Sequence, residues 1–74
     1  MLQPLTGKEM EYLVDSMSNE DLMMKQCTVA AVSSQNTAIQ QLCSQMVNMH
    51  RQNYESLMTC LQQHVSIAPM QPQN

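Results

Sequence analysis

The fold is decided by residues 36–65, NTAIQQLCSQMVNMHRQNYESLMTCLQQHV, which contain neither glycine nor proline. Nothing in this segment ends a helix, and at ~1.5 Å per residue it predicts a rod of roughly 45 Å. Apolar residues recur along it at steps of three and four, as in an amphipathic helix. They form two neighbouring stripes. The first stripe contains Ile39, Leu42, Met46, Met49, Leu57 and Cys60, and the second contains Cys43, Val47, His50, Tyr54, Met58, Leu61 and Val65.

The two stripes together are wider than the roughly 100° of surface that a helix of a monomeric protein usually buries. A small chain of 74 residues has few other elements to cover them, and a single core of this size rarely supplies more than ~3–5 kcal/mol. We therefore expect a homodimer, with Asn53 setting the pairing register as a buried Asn does in coiled coils. The expected core and interface residues are Ile39, Leu42, Met46, Met49, Asn53, Tyr54, Leu57 and Leu61.

Two capping patterns precede this segment. Thr6-Gly7-Lys8-Glu9 matches a capping box and predicts a short first helix that begins at about Gly7. Ser18-Asn19-Glu20-Asp21 repeats the pattern and predicts that a second helix begins there, although a small kink inside one longer helix is the alternative. The side chains expected to point inward are Met10, Leu13, Val14 and Met17 from the first helix, and Leu22, Met23, Cys27, Ala30 and Ala31 from the second.

A polar cluster, Ser33-Ser34-Gln35-Asn36-Thr37, predicts the turn of a helical hairpin, because such side chains compete for backbone hydrogen bonds. The alternative is one uninterrupted helix from Ser18 to Val65. Residues 66–74 contain two prolines and two glutamines, so they predict an irregular and mobile tail after a single helical domain at residues 1–65. The expected architecture is all-α, with two hairpins packed antiparallel into a four-helix bundle.

The composition argues against several classes of partner. The net charge is −3, and the basic residues Lys8, Lys25 and Arg51 form no patch, so we expect no nucleic-acid partner. The chain has no run of about 20 apolar residues, so we expect no membrane span. Its first residues do not resemble a signal peptide, which favours cytoplasmic synthesis. The odd number of cysteines fits reduced thiols and leaves an intermolecular disulfide open.

Three stretches carry a family resemblance: LTGKEMEYLVDSMSNEDLMMKQCT, VAAVSSQNTAIQQLCSQM and HRQNYESLMTCLQQH. The matching run extends from Leu5 to Gln63 and resembles the spore coat protein F family, small ferritin-like helical proteins of spore-forming bacteria. The chain departs from that family at Cys27, where members often carry an aromatic residue, and at residues 66–70, where members often have a Gly-Trp-Tyr-like segment. The resemblance implies a ferritin-like hairpin, a structural role in sporulation or the spore coat, and other coat proteins as partners.

The sequence offers little for catalysis. A di-iron bundle needs Glu-x-x-His pairs, and none occurs here, so we expect no enzyme activity and no cofactor. The alternative function is a Cu(I)- or zinc-binding sensor or buffer, because thiolate, thioether and imidazole ligands suit these ions. Its ligands would be Cys43, His50, Cys60 and His64, gathered from two chains. The competing interpretation is that the cysteines and methionines simply fill a core.

Overall fold

The protein is a helical hairpin. The computed structural model describes residues 3–65, apart from the side chain of Val65. Helix α1 spans Gly7–Ser33 and helix α2 spans Thr37–Val65, and the two pack against each other. This part of the chain contains no strand, so the all-α prediction is confirmed. The tail predicted at residues 66–74 lies outside the described residues.

Helix α1 begins where the sequence predicts. The Oγ1 of Thr6 accepts a hydrogen bond from the backbone N–H of Glu9 at 3.0 Å, and the N–H of Thr6 donates to the Glu9 carboxylate at 2.9 Å. Both halves of the capping box are therefore present. They satisfy backbone groups that would otherwise lack partners at the first turn.

The break predicted at Ser18 is absent, so the expectation of a separate short first helix is wrong. Helix α1 runs through this point without interruption. Ser18 and Asn19 lie on its exposed side, where their side chains do not compete for the backbone hydrogen bonds of the helix. A continuous helix also keeps one inner row in phase at steps of three and four. That row consists of Met10, Leu13, Met17, Glu20, Met24, Cys27 and Ala31.

The continuous phase changes which side chains of α1 point inward. Val14 and Leu22, expected inside, are 47% and 51% exposed, and Ala30 is also exposed. Glu20 occupies the inner row in their place. Cys27 is buried, as expected. A new helix start at Ser18 would have reset the phase of the residues after it, and its absence explains the exposure of Leu22 and Ala30. Val14 precedes Ser18 and lies beside the inner row.

The predicted turn is present and is built from polar side chains. Asn36 caps α2, because its Oδ1 accepts from the N–H of Ile39 at 3.2 Å. The hydroxyl oxygen of Ser34 accepts from the N–H of Asn36 at 3.0 Å, and the Gln40 side chain donates to the Ser34 carbonyl at 2.6 Å. These bonds replace the glycine or proline that usually ends a helix.

The two stripes of α2 have different environments. Residues of the second stripe, from Cys43 to Leu61, are buried or half-buried between the helices. The turn-proximal part of the first stripe remains open: Ile39, Leu42 and Met49 are 42%, 52% and 47% exposed. We call these three residues the open stripe.

The core of a single hairpin is thin. Among the described residues only Met17, Cys27 and His50 are buried, and no side chain is fully enclosed. The hairpin measures 55 × 24 × 14 Å, so it is one helix layer thick.

Candidate functional site

A polar contact joins the middles of the two helices. Glu20 lies halfway along α1 and His50 lies close to the midpoint of α2. The Nδ1 of His50 is 2.5 Å from a carboxylate oxygen of Glu20. The His50 side chain is 11% exposed and that of Glu20 is 21% exposed. An ionisable pair therefore occupies the centre of a seam that is otherwise largely apolar.

Asn53 also joins this contact, and we call Glu20, His50 and Asn53 the polar layer. Its amide Nδ2 donates to the second carboxylate oxygen of Glu20 at 3.3 Å, so α2 engages both oxygens. The amide lies one turn from His50, which matches the three-residue spacing of neighbours on one helix face. Asn53 itself is exposed. It contacts the facing helix of the same chain at the rim of the seam. The register role expected of it concerns the pairing of two chains and stays a prediction.

His50 also carries an unsatisfied atom. With Nδ1 facing the carboxylate, Nε2 is buried and has no hydrogen-bond partner within residues 3–65. A buried polar atom without a partner costs about 1–3 kcal/mol. The layer is therefore not an efficient source of stability. Its value is positional, because Glu20 meets His50 and Asn53 in only one register of the two helices.

A carboxylate on one ring nitrogen is also how proteins orient a metal-binding histidine. The described part of the chain nevertheless contains no group of three or more His, Cys, Asp or Glu side chains placed to hold a metal ion. A tetrahedral zinc site is therefore not formed among these residues of one hairpin.

The four residues of the alternative metal site are only partly brought together. Cys60 Sγ lies 3.7 Å from His64 Nδ1, as their four-residue spacing predicts. The same nitrogen lies 2.7 Å from the Cys60 carbonyl oxygen. Cys43 and His50 are separated by seven residues, about 10.5 Å along α2, and His50 is engaged by Glu20. Gathering all four from two chains remains a prediction.

The predicted core and interface residues divide into two groups. Met46, Tyr54, Leu57 and Leu61 are half-buried between the helices, whereas the open stripe faces away from α1. Tyr54 and Leu61 also line a shallow groove of about 300 Å³ together with Val14 and Met17 of α1. Apolar surface thus remains uncovered at both the turn end and the open end of the hairpin.

The charged side chains outside the polar layer are surface groups. Asp21 accepts a hydrogen bond from Lys25 at 2.9 Å, and this bond, with the carboxylate charge, raises the pKa of the lysine. Both side chains are largely exposed, so water screens the pair and its contribution to stability is small.

Glu20 is the residue of the candidate site that the sequence analysis missed. A negative charge is favoured at a helix start, so Glu20 was interpreted as part of the capping pattern at Ser18. It lies instead in the inner row with Met17, Met24 and Cys27. Reading that three- and four-residue spacing through Ser18 would have placed it in the seam.

Comparison with protein-family models, curated proteins and solved structures gives no match to this chain. Neither described helix combines the length and apolar character needed to cross a membrane.

Proposed function

We propose that this chain is a non-enzymatic assembly protein that acts as a homodimer, with two hairpins forming an antiparallel four-helix bundle. The observation that carries the proposal is the thickness of the hairpin. Its smallest dimension is 14 Å, little more than the ~10–12 Å diameter of one helix with its side chains. Stable domains are built from at least two packed layers around one core, and we assign the second layer to another molecule.

The open stripe is the contact surface we assign to this second layer. Ile39, Leu42 and Met49 lie on one side of α2 at steps of three and seven residues, so a facing helix can pack along all three. Further exposed large side chains extend the apolar surface over α1. They are Tyr12, Val14, Leu22, Val29 and Val32.

A second copy of the same chain is the partner that fits this surface best. The net charge is only −3, so two copies repel each other weakly. A stable interface buries about 800 Å² on each partner, and a face measuring 55 by 24 Å is large enough to provide it. Two-fold symmetric dimers are also the commonest soluble oligomers. Each hairpin would then cover the open stripe of the other.

The cellular role that we propose rests on the family resemblance of residues 5–63. We assign the dimer a ferritin-like fold and a structural role in sporulation, as a coat component that contacts other coat proteins. An antibody against the chain is expected to detect it in coat extracts of purified spores and not in vegetative cells. Equal amounts in both fractions would contradict this role and would leave the dimer untouched.

Charged substitutions in the open stripe test the interface. Replacing Leu42 and Met49 together by Glu places two like charges from each chain in the contact, and we expect dimerisation to weaken by at least about 100-fold, or about 2.7 kcal/mol. Sedimentation velocity at fixed concentration measures the change. The matched control is Gln41→Glu with Gln52→Glu, which adds the same charge at exposed positions outside the stripe.

The control variant should sediment like the original chain. Circular dichroism shows whether the open-stripe variant keeps its helices. A dimer that persists in that variant, or that dissociates equally in the control, would contradict the assignment of this surface.

A further inference from the structure

The register of the two helices places sulfur-containing residues near the turn in two facing layers. The contact between Glu20 and His50 fixes the register of the two helices. Four residues after Glu20 is Met24, and four residues before His50 is Met46. Because the helices are antiparallel, equal steps towards the turn reach the same level on each of them. Both methionines are half-buried, as this placement requires.

The next layer contains two cysteines. Cys27 follows Glu20 by seven residues and Cys43 precedes His50 by seven. A seven-residue step returns to nearly the same helix face, with a drift of only about 20°. Cys27 and Cys43 therefore face each other at one level, about 4.5 Å along the axis from the methionine layer. Cys27 is 7% exposed and Cys43 is half-buried, and both are free thiols.

We propose that Cys27 and Cys43 form a binding site for Cu(I), with the thioethers of Met24 and Met46 as additional ligands. Thiolates and thioethers are the soft ligands that Cu(I) prefers, and this ion is satisfied by two thiolates. Binding converts two thiols and one Cu(I) ion into a bis-thiolate complex and releases two protons. Zinc would need more nitrogen or thiolate ligands than this layer offers.

The site differs from the one expected from the sequence. That set drew all of its ligands from α2, whereas this one uses both helices of a single chain and shares only Cys43 with it. All four ligands belong to one hairpin, so the site needs no ligand from a second chain. Cys43 is half-buried, so an ion can reach the layer from the edge of the seam.

Competition with a coloured Cu(I) chelator, bathocuproine disulfonate, tests the site. Reduced full-length protein under anaerobic conditions is expected to withhold one Cu(I) per chain from the chelator. Changes to outer-shell partners of a metal already cost about 10–100-fold in affinity, so losing a thiolate should cost more than about 100-fold. Cys27→Ser and Cys43→Ser should both show this loss. Cys60→Ser is the matched control and should bind as the original chain does.

Two further measurements separate ligand loss from unfolding. Met24→Leu with Met46→Leu removes both thioethers and keeps the apolar volume, and it should weaken binding while the helical circular dichroism is unchanged. Cu(I) should also protect Cys27 and Cys43, and not Cys60, from iodoacetamide when the modified chain is analysed by mass spectrometry. The proposal would be overturned if Cys60→Ser lost as much Cu(I) affinity as Cys27→Ser and Cys43→Ser. It would also be overturned if the chelator removed Cu(I) from the original chain as easily as from Cys43→Ser.

Discussion

Replacing His50 by Leu is expected to destabilise the protein by about 2 kcal/mol, and replacing Glu20 by Leu by about 2–3 kcal/mol. The first change leaves a carboxylate in the seam without the imidazole, and its 21% exposure relieves part of the cost. The second leaves a more deeply buried imidazole whose Nε2 already lacks a partner. Each single variant thus leaves one group in a mostly apolar seam without its ionisable partner, although Asn53 still donates to Glu20 in His50→Leu.

The double variant Glu20→Leu with His50→Leu is expected to be as stable as the original chain or more stable. A buried ionic pair replaced by well-packed apolar residues is often neutral or stabilising by about 1–4 kcal/mol. Urea unfolding at one fixed protein concentration measures all three variants. Glu11→Leu is the control, because it removes an exposed acid of α1 and should change stability by no more than about 0.5 kcal/mol.

The double variant should also show whether the polar layer fixes the register of the two helices, because the variant lacks that layer. Without it, a seam of methionine, cysteine and leucine has little to fix its register, since methionine packs adaptably. We expect additional amide peaks in the nuclear magnetic resonance spectrum of the double variant. A double variant as unstable as either single one, or one with a single clean set of peaks, would contradict the account of this layer.

Truncating Met17 to Ala should have the second large effect. Met17 is 8% exposed and is one of the two buried apolar residues of the described chain. Removing such a side chain costs about 2–5 kcal/mol, and a thin core that can partly collapse places the expected loss near 2 kcal/mol. With a slope of about 1 kcal/mol per M for a small protein, the urea midpoint should fall by about 2 M.

Met17→Leu provides the matched control, because it nearly conserves volume and should cost less than about 1.5 kcal/mol. If Met17→Ala and Met17→Leu lower the free energy of unfolding by the same small amount, packing in the seam between the helices is not what stabilises the hairpin.

The parts of the fold that depend on local chemistry could be predicted from the sequence. The Thr6–Glu9 capping box and the polar turn near Asn36 each rest on hydrogen bonds between residues close in the chain. The break predicted at Ser18 failed for the opposite reason. The capping pattern at Ser18 is local and favours a new helix start, whereas the packing of α1 on α2 favours a continuous helix. The helix is continuous, so the packing determines the structure at this point.

The candidate site shows the same division. The pairing of Cys60 with His64 follows from their four-residue spacing and could be predicted. The pairing of Glu20 with His50 joins residues thirty apart and depends on the register of the hairpin. Periodicity identifies which residues share a face of one helix, but it does not state which residue of the other helix lies opposite.

The most direct test of the proposed homodimer is how thermal unfolding depends on protein concentration. When folding is coupled to dimerisation, mass action raises the unfolding midpoint with concentration. Circular dichroism melts of the full chain from about 1 to 100 µM, paired with native mass spectrometry, should give a rising midpoint. The expected mass is about 17 kDa, twice the 8.4 kDa of one chain. A midpoint independent of concentration, together with a mass of 8.4 kDa, would contradict the account.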